Sequence, residues 1–321
     1  MNVTIKTPSR IHLGLIDLNG SMGRLYGSIG LALNSPQVIL EARNSDKLRV
    51  AGQDKERIEA LVKKFSEAYN VDSNIEINVS QTIPEHSGLG SGTQLALSVA
   101  TAMSYINKLS VDVRDLARTM GRGKISGIGI EAFKHGGFII DAGVKVGSEG
   151  EIPSPIYRIN FPKDWTFVLA IPSAARGLFG EKEESAFKKV IPASPDIARE
   201  VCRLLQMKML PAMMEKDIAT FGKALMEVDK TVGLYFEGVQ NGIYTDAGTQ
   251  KLVECMLEAG AYGAGQSSWG PAVYGLVDDS GAQKLEAAVD AFMKETCTEC
   301  SIIRTHANNQ GAKISAMEDA E

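Results

Sequence analysis

Residues 84–100 read PEHSGLGSGTQLALSVA, a glycine-rich loop that runs directly into a stretch of small, helix-compatible residues. Glycine lets a backbone approach a bound anion without an intervening Cβ atom. The first amide groups of a helix are unpaired and carry partial positive charge. The loop therefore predicts a phosphate cradle, although a tight loop whose glycines only satisfy turn geometry is the alternative. The predicted phosphate ligands in it are Gly88, Leu89, Gly90, Ser91, Gly92 and Thr93.

The loop departs from the two most familiar phosphate-binding patterns. A Walker A loop ends in Gly-Lys-Ser/Thr, whereas Gly92 is followed directly by Thr93. A dinucleotide fingerprint places G-x-G-x-x-G immediately after a strand. Here the spacing is G-x-G-x-G, and several residues separate the glycines from the alternating strand pattern NIEINVS at 74–80. The sequence therefore predicts a different class of phosphate loop.

Composition narrows the classes of function. The chain has 321 residues, 44% of them hydrophobic, and a formal net charge of −5, which disfavours general nucleic-acid binding. No apolar run approaches the length of a membrane helix and the first residues lack signal-peptide zones, so we expect a cytoplasmic protein without a membrane partner. A single C-x-x-C at Cys297 and Cys300 falls short of the four ligands of a structural zinc site, and two ordinary thiols are expected.

The order of strand and helix patterns predicts two α+β domains, 1–158 and 159–307, followed by a loose tail at 308–321. The Pro-, Gly- and Ser-rich segment SEGEIPSPIY (148–157) is the candidate linker. Hairpins are expected at 35–50 and 135–147. Two strands around a glycine turn are expected within 261–277.

Three motifs in order carry a resemblance to the GHMP kinase superfamily. PEHSGLGSGTQLA (84–96) resembles its phosphate-loop motif, PSRIHLGLID (8–17) its substrate-side motif, and GAYGAGQSSWGPAVYGLV (260–277) its C-terminal glycine-rich motif. The resemblance implies a two-domain α+β fold, with an N-terminal ribosomal-protein-S5-like β-α-β domain and a C-terminal ferredoxin-like α/β sandwich.

Longer stretches resemble a non-kinase branch, the β-ribofuranosylaminobenzene 5′-phosphate synthase family. These stretches are residues 9–33, 84–102, 121–143 and 267–275. The resemblance implies condensation of phosphoribosyl diphosphate with 4-aminobenzoate or 4-hydroxybenzoate, releasing CO₂ and diphosphate, in tetrahydromethanopterin biosynthesis. It also implies Mg²⁺ as assistant, no organic cofactor, and a homodimer as a family-level expectation.

Two other functions stay open. GHMP kinases carry an acidic base in a segment of the form S-G-x-D, where this chain has Gly129 in SGIGIE (126–131). A small-molecule kinase that uses Glu131, another base or none is one alternative. A catalytically silent phosphosugar-binding regulator is the other, since no self-evident nucleophile or metal cluster is present.

The implied chemistry has three needs, each with candidate residues. Cations must hold the departing diphosphate, and Arg10, Arg24, Arg122 and Lys124 lie in or beside the motifs, although Arg122 and Lys124 suit a solvated helix end equally well. A carboxylate must stabilise positive charge on the sugar and ring. Asp17 is favoured for that role, with a turn acid as its alternative, and Glu85, Glu131 and Asp141 are the further candidates.

Histidines and the C-terminal motif complete the candidate site. His12 lies two residues after Arg10, so both point to one face of a strand, and His86 lies within the loop itself. The carboxylate that leaves as CO₂ requires a dry, weakly polar slot. Gln266, Ser267, Ser268 and Trp269 can line it, although Trp269 also suits a core position. Arg176, in SAARGLFG (173–180), is a further candidate for an anion clamp, and its role is left open.

Overall fold

Strands and helices alternate irregularly along the chain. A computed structural model describes residues 1–148, 150–173, 177, 180–240 and 242–318. The strands of this part are β1 (Asn2–Lys6), β2 (Ser9–Asp17), β3 (Arg24–Leu33), β4 (Ile39–Asn44), β5 (Arg49–Gly52), β6 (Ile75–Gln81), β7 (Phe138–Asp141), β8 (Val144–Lys145), β9 (Pro155–Ile159), β10 (Trp165–Pro172), β11 (Gly263–Gln266), β12 (Val273–Asp278), β13 (Cys300–His306) and β14 (Lys313–Met317). The helices are α1 (Lys55–Tyr69), α2 (Ser91–Ile106), α3 (Val113–Thr119), α4 (Ile128–Lys134), α5 (Glu181–Val190), α6 (Pro195–Leu204), α7 (Leu210–Glu215), α8 (Ile218–Gln240), α9 (Ala247–Glu258) and α10 (Ala282–Glu295), with a π-helical turn at Leu205–Met209 between α6 and α7. Arg176 lies outside the described residues.

The strands form three sheets. The first has the order β14-β1-β4-β6-β5, the second β2-β3-β7-β9 with β8 beside β3, and the third β11-β12-β10-β13. The antiparallel pair of β11 and β12 confirms the two strands predicted around the C-terminal glycine turn. None of the helices in the described part is long and apolar enough to cross a membrane.

The sheet pairing corrects three expectations. β4 and β5 are not a hairpin, because the α1 crossover brings β5 parallel to β6. β7 and β8 are not a hairpin either, since the longer β3 pairs with both of them. The expected loose tail contains β14, which pairs with β1 and thereby covers an otherwise open sheet edge. The predicted domain boundary at 158 and 159 falls within β9.

Helix α2 carries the glycine loop into the core. Gly90 caps its N-terminus with φ 84°, a left-handed conformation that glycine adopts without a Cβ clash. Leu95, Val99 and Met103 on this helix are almost completely buried. Burial of such a face stabilises a helix more than its intrinsic propensity does. The core therefore fixes the direction in which the start of α2 points.

The site lies where β2 of the N-terminal half meets α8 of the C-terminal half. The β2–β3 pairing shifts register between His12 and Gly14. Gly14 has φ 146°, and a Cβ there would come within 3.0 Å of Val232 on α8. The Tyr235 hydroxyl of α8 donates to the Ile16 carbonyl over 3.0 Å. Absence of a side chain at Gly14 thus lets strand and helix approach closely, and both Gly14 and Val232 line a cavity at this contact.

Candidate active site

The glycine loop presents free backbone amides at the start of α2. Gly88 and Gly90 both have positive φ angles, 78° and 84°. The Thr93 amide donates to the Gly90 carbonyl over 3.1 Å and is therefore occupied. Within the described part of the chain, the amides of Ser91 and Gly92 have no acceptor. These two donors at a helix N-terminus are suited to an anion, as the sequence predicts.

Hydrogen bonds from both halves of the chain hold the loop in place. The fully buried Ser267 hydroxyl donates to the Gly88 carbonyl over 2.6 Å and accepts from the His12 amide over 3.0 Å. The Arg10 guanidinium donates to the same carbonyl, and the Arg10 amide donates to the Leu89 carbonyl. Ser267 therefore connects the two halves by hydrogen bonds, whereas the sequence predicted that it would line the site of the aromatic substrate. Leu89 has its side chain in the core.

A cavity in front of the loop is rich in guanidinium groups. Arg10, Arg57 and Arg122 line it together with Gly88, Gly90, Ser91, Gly92 and Thr93. The buried Nε atoms of Arg10 and Arg122 have no hydrogen-bond partner among the described residues. Burial lowers the pKa of Arg10 to about 10, which leaves this group charged at neutral pH, and burial also lowers the pKa of Arg122. We call this space the loop cavity.

Two polar residues predicted next to the loop also line this cavity. Glu85 forms an ion pair with Arg57, and its side chain keeps 39% of its exposure. His86 adopts a left-handed conformation with φ 53°, and its carbonyl accepts from the Gly177 amide over 3.0 Å. Arg57 comes from α1, far from every motif in the sequence, so only tertiary contact brings it here. No sequence signal distinguishes it from the other basic residues of that helix.

A second cavity has aromatic walls and lies between β2 and α8. Trp269 packs edge-on against Phe236, with ring centroids 4.6 Å apart, and against Phe187 at 5.9 Å. His12 lines the same space and is almost fully buried. Burial and the nearby Arg10 charge lower the pKa of His12 to about 3, so its imidazole is neutral across the physiological range. We call this space the aromatic cavity.

The two cavities share a wall. Arg10, Glu183, Ser268 and Trp269 line both of them. The Trp269 indole donates to Glu183 over 3.1 Å, which orients that carboxylate. Burial raises the pKa of Glu183, while the indole and Arg10 favour its charged form. Sequence reasoning missed Glu183, because α5 contains several acidic residues and only the fold singles out this one.

Polar groups are also found in the aromatic cavity away from the shared wall. The Gln266 amide oxygen accepts from the Thr245 amide and hydroxyl, and its nitrogen donates to the Ser268 carbonyl over 2.8 Å. Gln266 therefore shapes the wall and has little capacity left for a ligand. Asp229 and Tyr244 lie in the same lining, and sequence reasoning missed both.

The structure places Asp17 and Arg24 away from the linings of both cavities, within the described residues. Asp17 accepts from the Asn19 and Gly20 amides over 2.6 and 3.2 Å, which is the turn role that competes with a catalytic one. Arg24 donates to the carbonyls of Ala142 and Gly143. Both positions correct the expectation that these side chains face the diphosphate or the sugar.

Three further candidates also have structural positions elsewhere. Lys124 is exposed and lines a separate groove with Tyr26. Glu131 is buried in an ion pair with Arg114 at 2.9 Å. Asp141 is fully buried and accepts from three backbone amides, and burial raises its pKa to about 6. These two acids hold loops and helices together, and all three residues lie outside the linings of the two cavities.

Comparison with known proteins identifies the fold and the relatives. The model of the GHMP kinase N-terminal domain matches residues 56–137, and that of the GHMP kinase C-terminal domain matches residues 209–295. Mevalonate kinase from L. major, solved with R-mevalonate, aligns over 95% of this chain and 96% of its own, with a TM-score of 0.69 and 13% identity. This likeness confirms the predicted two-domain α+β fold and concerns the fold alone.

Curated relatives cover nearly the whole chain. The β-ribofuranosylphenol 5′-phosphate synthase of Archaeoglobus fulgidus is 39% identical over 97% of this chain and 98% of its own length. The protein of the same name from Methanocaldococcus jannaschii is 38% identical over 97% of this chain and 99% of its own.

Proposed function

The chain belongs to the β-ribofuranosylphenol 5′-phosphate synthase family, and from this premise we propose that it joins phosphoribosyl diphosphate to a 4-substituted benzoate. The products are a β-ribofuranosyl-arene 5′-phosphate, CO₂ and diphosphate, for tetrahydromethanopterin biosynthesis. A phenol in the relatives' name favours 4-hydroxybenzoate as the aromatic acid over 4-aminobenzoate. The enzyme is then a pentosyltransferase.

One observation carries this proposal: a cationic cavity and an aromatic cavity share a wall. The wall consists of Arg10, Glu183, Ser268 and Trp269. A diphosphate-bearing sugar in the loop cavity and a benzoate in the aromatic cavity would meet there, which brings the sugar C1 atom next to a ring carbon. Holding two reactants in such geometry removes much of the entropic barrier of a bimolecular reaction.

The loop cavity suits the leaving group. The Ser91 and Gly92 amides, with Arg10 and Arg122, supply preorganised donors where negative charge develops as diphosphate departs. Mg²⁺ usually binds through one or two carboxylates and the phosphates of its substrate. Glu85 is the lining carboxylate that would hold such an ion, and the metal would neutralise the departing charge.

Glu183 takes the role that sequence reasoning assigned to Asp17. As the bond to diphosphate breaks, positive charge develops at the sugar C1 atom beside the shared wall. A carboxylate held by the Trp269 indole at that wall stabilises this charge without having to reorganise. The neutral His12 imidazole, in the same cavity, offers a hydrogen bond to the benzoate without adding a cation that would oppose loss of CO₂.

Kinase activity has less support from the structure than synthase activity. The position that holds the acidic base in GHMP kinases is Gly129 here, and its carbonyl accepts from the Gln94 side chain over 2.7 Å. A Cβ at Gly129 would lie 3.2 Å from the Thr93 methyl carbon, so the space is already filled. Glu131, the substitute base, is buried in its ion pair with Arg114. The chain thus lacks an acid at that point of the cleft.

The test is turnover with carboxyl-labelled aromatic acid. Purified protein with Mg²⁺, phosphoribosyl diphosphate and labelled 4-hydroxybenzoate is expected to release labelled CO₂ and diphosphate in equal amounts. The matched control replaces phosphoribosyl diphosphate with ATP, and no label should be released. Absence of label release with both 4-hydroxybenzoate and 4-aminobenzoate would end the synthase proposal. Phosphorylation of a metabolite panel by ATP would favour the kinase instead.

A further inference from the structure

The shared wall determines which way round an aromatic acid binds. In the proposed reaction the attacking ring carbon is the one that bears the carboxylate, so this carbon has to lie at the wall formed by Arg10, Glu183 and Trp269. The opposite end of the ring then points away from the loop cavity. Whatever meets the 4-substituent must therefore line the aromatic cavity without lining the loop cavity.

Asp229 meets this condition. It lies on the face of α8 that carries Val232, Gly233 and Phe236, which follow it by three, four and seven residues and line the aromatic cavity. The side chain of Asp229 is nine-tenths buried, with 9% relative exposure. Its Oδ2 atom has no hydrogen-bond partner among the described residues. Leaving a buried carboxylate oxygen without a partner is costly, and the buried Tyr274 hydroxyl, which also lacks a partner among the described residues, lies beside the same Gly265 position as Oδ2. Asp229 is thus a buried carboxylate in the cavity lining with hydrogen-bonding capacity to spare.

We propose that Asp229 is the base that accepts the proton of the 4-hydroxyl group of the aromatic substrate. This inference rests on the proposed function and identifies Asp229 as the residue that recognises the 4-substituent of the substrate. The carboxylate of Asp229 is the lining group that the hydroxyl of the substrate meets at this end of the cavity. In the reverse orientation a substrate carboxylate beside Asp229 would bring two negative charges together, whereas at the shared wall the carboxylate also meets the Arg10 charge.

With this proton transfer, the atoms and charges of the reaction balance. As the carboxylate of Asp229 takes the hydroxyl proton, the ring carbon that bears the carboxylate forms a bond to the sugar C1 atom, and the bond from C1 to diphosphate breaks. The ring is then a dienone with sugar and carboxylate on one carbon. The bond to CO₂ breaks next, and its electron pair restores the aromatic ring as a phenolate. That phenolate takes the proton back from Asp229, so no other reactant is needed.

The surroundings of Asp229 shift its pKa in the direction that favours proton acceptance. Burial raises its pKa to about 7, which makes it a stronger base than a solvated carboxylate. The Tyr244 hydroxyl, the Gln266 amide and Lys230 favour its charged form, and the buried Tyr274 hydroxyl lies nearby. Across the cavity are His12, neutral at working pH, and the Arg10 and Glu183 side chains of the shared wall.

Asp229→Asn, compared on two substrates, tests the inference. 4-Hydroxybenzoate has a proton to lose, whereas the neutral amine of 4-aminobenzoate already offers its lone pair. We expect Asp229→Asn to lower kcat with 4-hydroxybenzoate by about 100-fold or more and kcat with 4-aminobenzoate by less than about tenfold. The control Asp290→Asn, on the exposed face of α10, should match wild type on both. The wild-type pH profile provides a second measurement, with an acidic limb near pH 7 expected for 4-hydroxybenzoate alone.

The outcomes separate the two proposals. Equal loss on both substrates, or no loss, overturns the role of Asp229 while the synthase activity of the wild type stands. If the variant does not fold, identical wild-type pH profiles for the two acids overturn it. A wild-type protein that turns over neither acid removes the proposed function and this inference together.

Discussion

Substitution of Gly88 by alanine should displace the glycine loop from the backbone of the C-terminal half. A Cβ at Gly88 would lie closer than 3.0 Å to the Ser267 carbonyl oxygen and 3.1 Å from the Gly270 carbonyl oxygen. Both are backbone atoms of the C-terminal half, so they cannot move aside as a flexible side chain would. The loop itself must retreat by about 1 Å, a displacement that can cost about 100-fold in rate when it moves a substrate-positioning group.

Two energetic effects act in this variant, and a matched set of glycines separates them. Gly88 has φ 78°, so alanine there also adopts the left-handed conformation at a cost of about 1–2 kcal/mol. Gly23 has φ 81°, and no atom lies within 4 Å of the position that a Cβ would take, so Gly23→Ala carries the conformational cost alone. Gly90 has φ 84°, and a Cβ there would lie 3.2 Å from the flexible Arg10 side chain. The destabilisation by Gly90→Ala should therefore lie between that of Gly23→Ala and that of Gly88→Ala.

The assays are chemical unfolding and steady-state kinetics. We expect the free energy of unfolding to fall by about 1–2 kcal/mol for Gly23→Ala and by clearly more for Gly88→Ala. We expect kcat/KM for phosphoribosyl diphosphate to fall about 100-fold in Gly88→Ala and to stay near wild type in Gly23→Ala. If Gly88→Ala behaves like Gly23→Ala in both assays, the loop is not held against the carbonyl groups of the C-terminal half.

Three other predictions concern the walls of the two cavities. Arg122→Met should raise the KM for phosphoribosyl diphosphate by about 10- to 100-fold, because it removes a charge-assisted phosphate contact, while Arg118→Met in an exposed ion pair should leave that KM unchanged. Phe236→Leu should raise the KM for the aromatic acid by about 3- to 10-fold with little change for phosphoribosyl diphosphate, and a reversed pattern would contradict the assignment of the aromatic cavity. Asp229 has a folded-state pKa raised from 3.8 to about 7, so the folded protein binds the extra proton and its stability falls as pH rises through this window. Urea unfolding should therefore show Asp229→Asn gaining stability relative to wild type by about 1.4 kcal/mol per pH unit there and no further above it, whereas a pH-independent difference would contradict the raised pKa.

Much of the fold follows from local pattern. Glycines directly before an apolar helical stretch fix the loop and the start of α2, because a left-handed cap and a helix involve only neighbouring residues. The order of three motifs fixed the family, and the two strands around the C-terminal glycine turn were predicted from their own residues. The misassigned hairpins failed because strand partners are chosen by non-local packing, as β5 pairing with β6 shows.

Local sequence patterns predict which loop binds phosphate, which fold carries that loop, and that Arg10 and His12 share a face of one strand. Which acids and cations join these residues depends on how the helices pack. Arg57, Glu183 and Asp229 lie on three helices far apart in the chain, in ordinary charged helical sequence that marks none of them. Asp17, which the sequence favoured as the catalytic acid, instead accepts a hydrogen bond from an amide of its own turn. A turn or a cap depends on a few neighbouring residues, whereas a cavity wall depends on how buried faces pack. Burial in such a wall is also what raises the pKa of the Asp229 carboxyl.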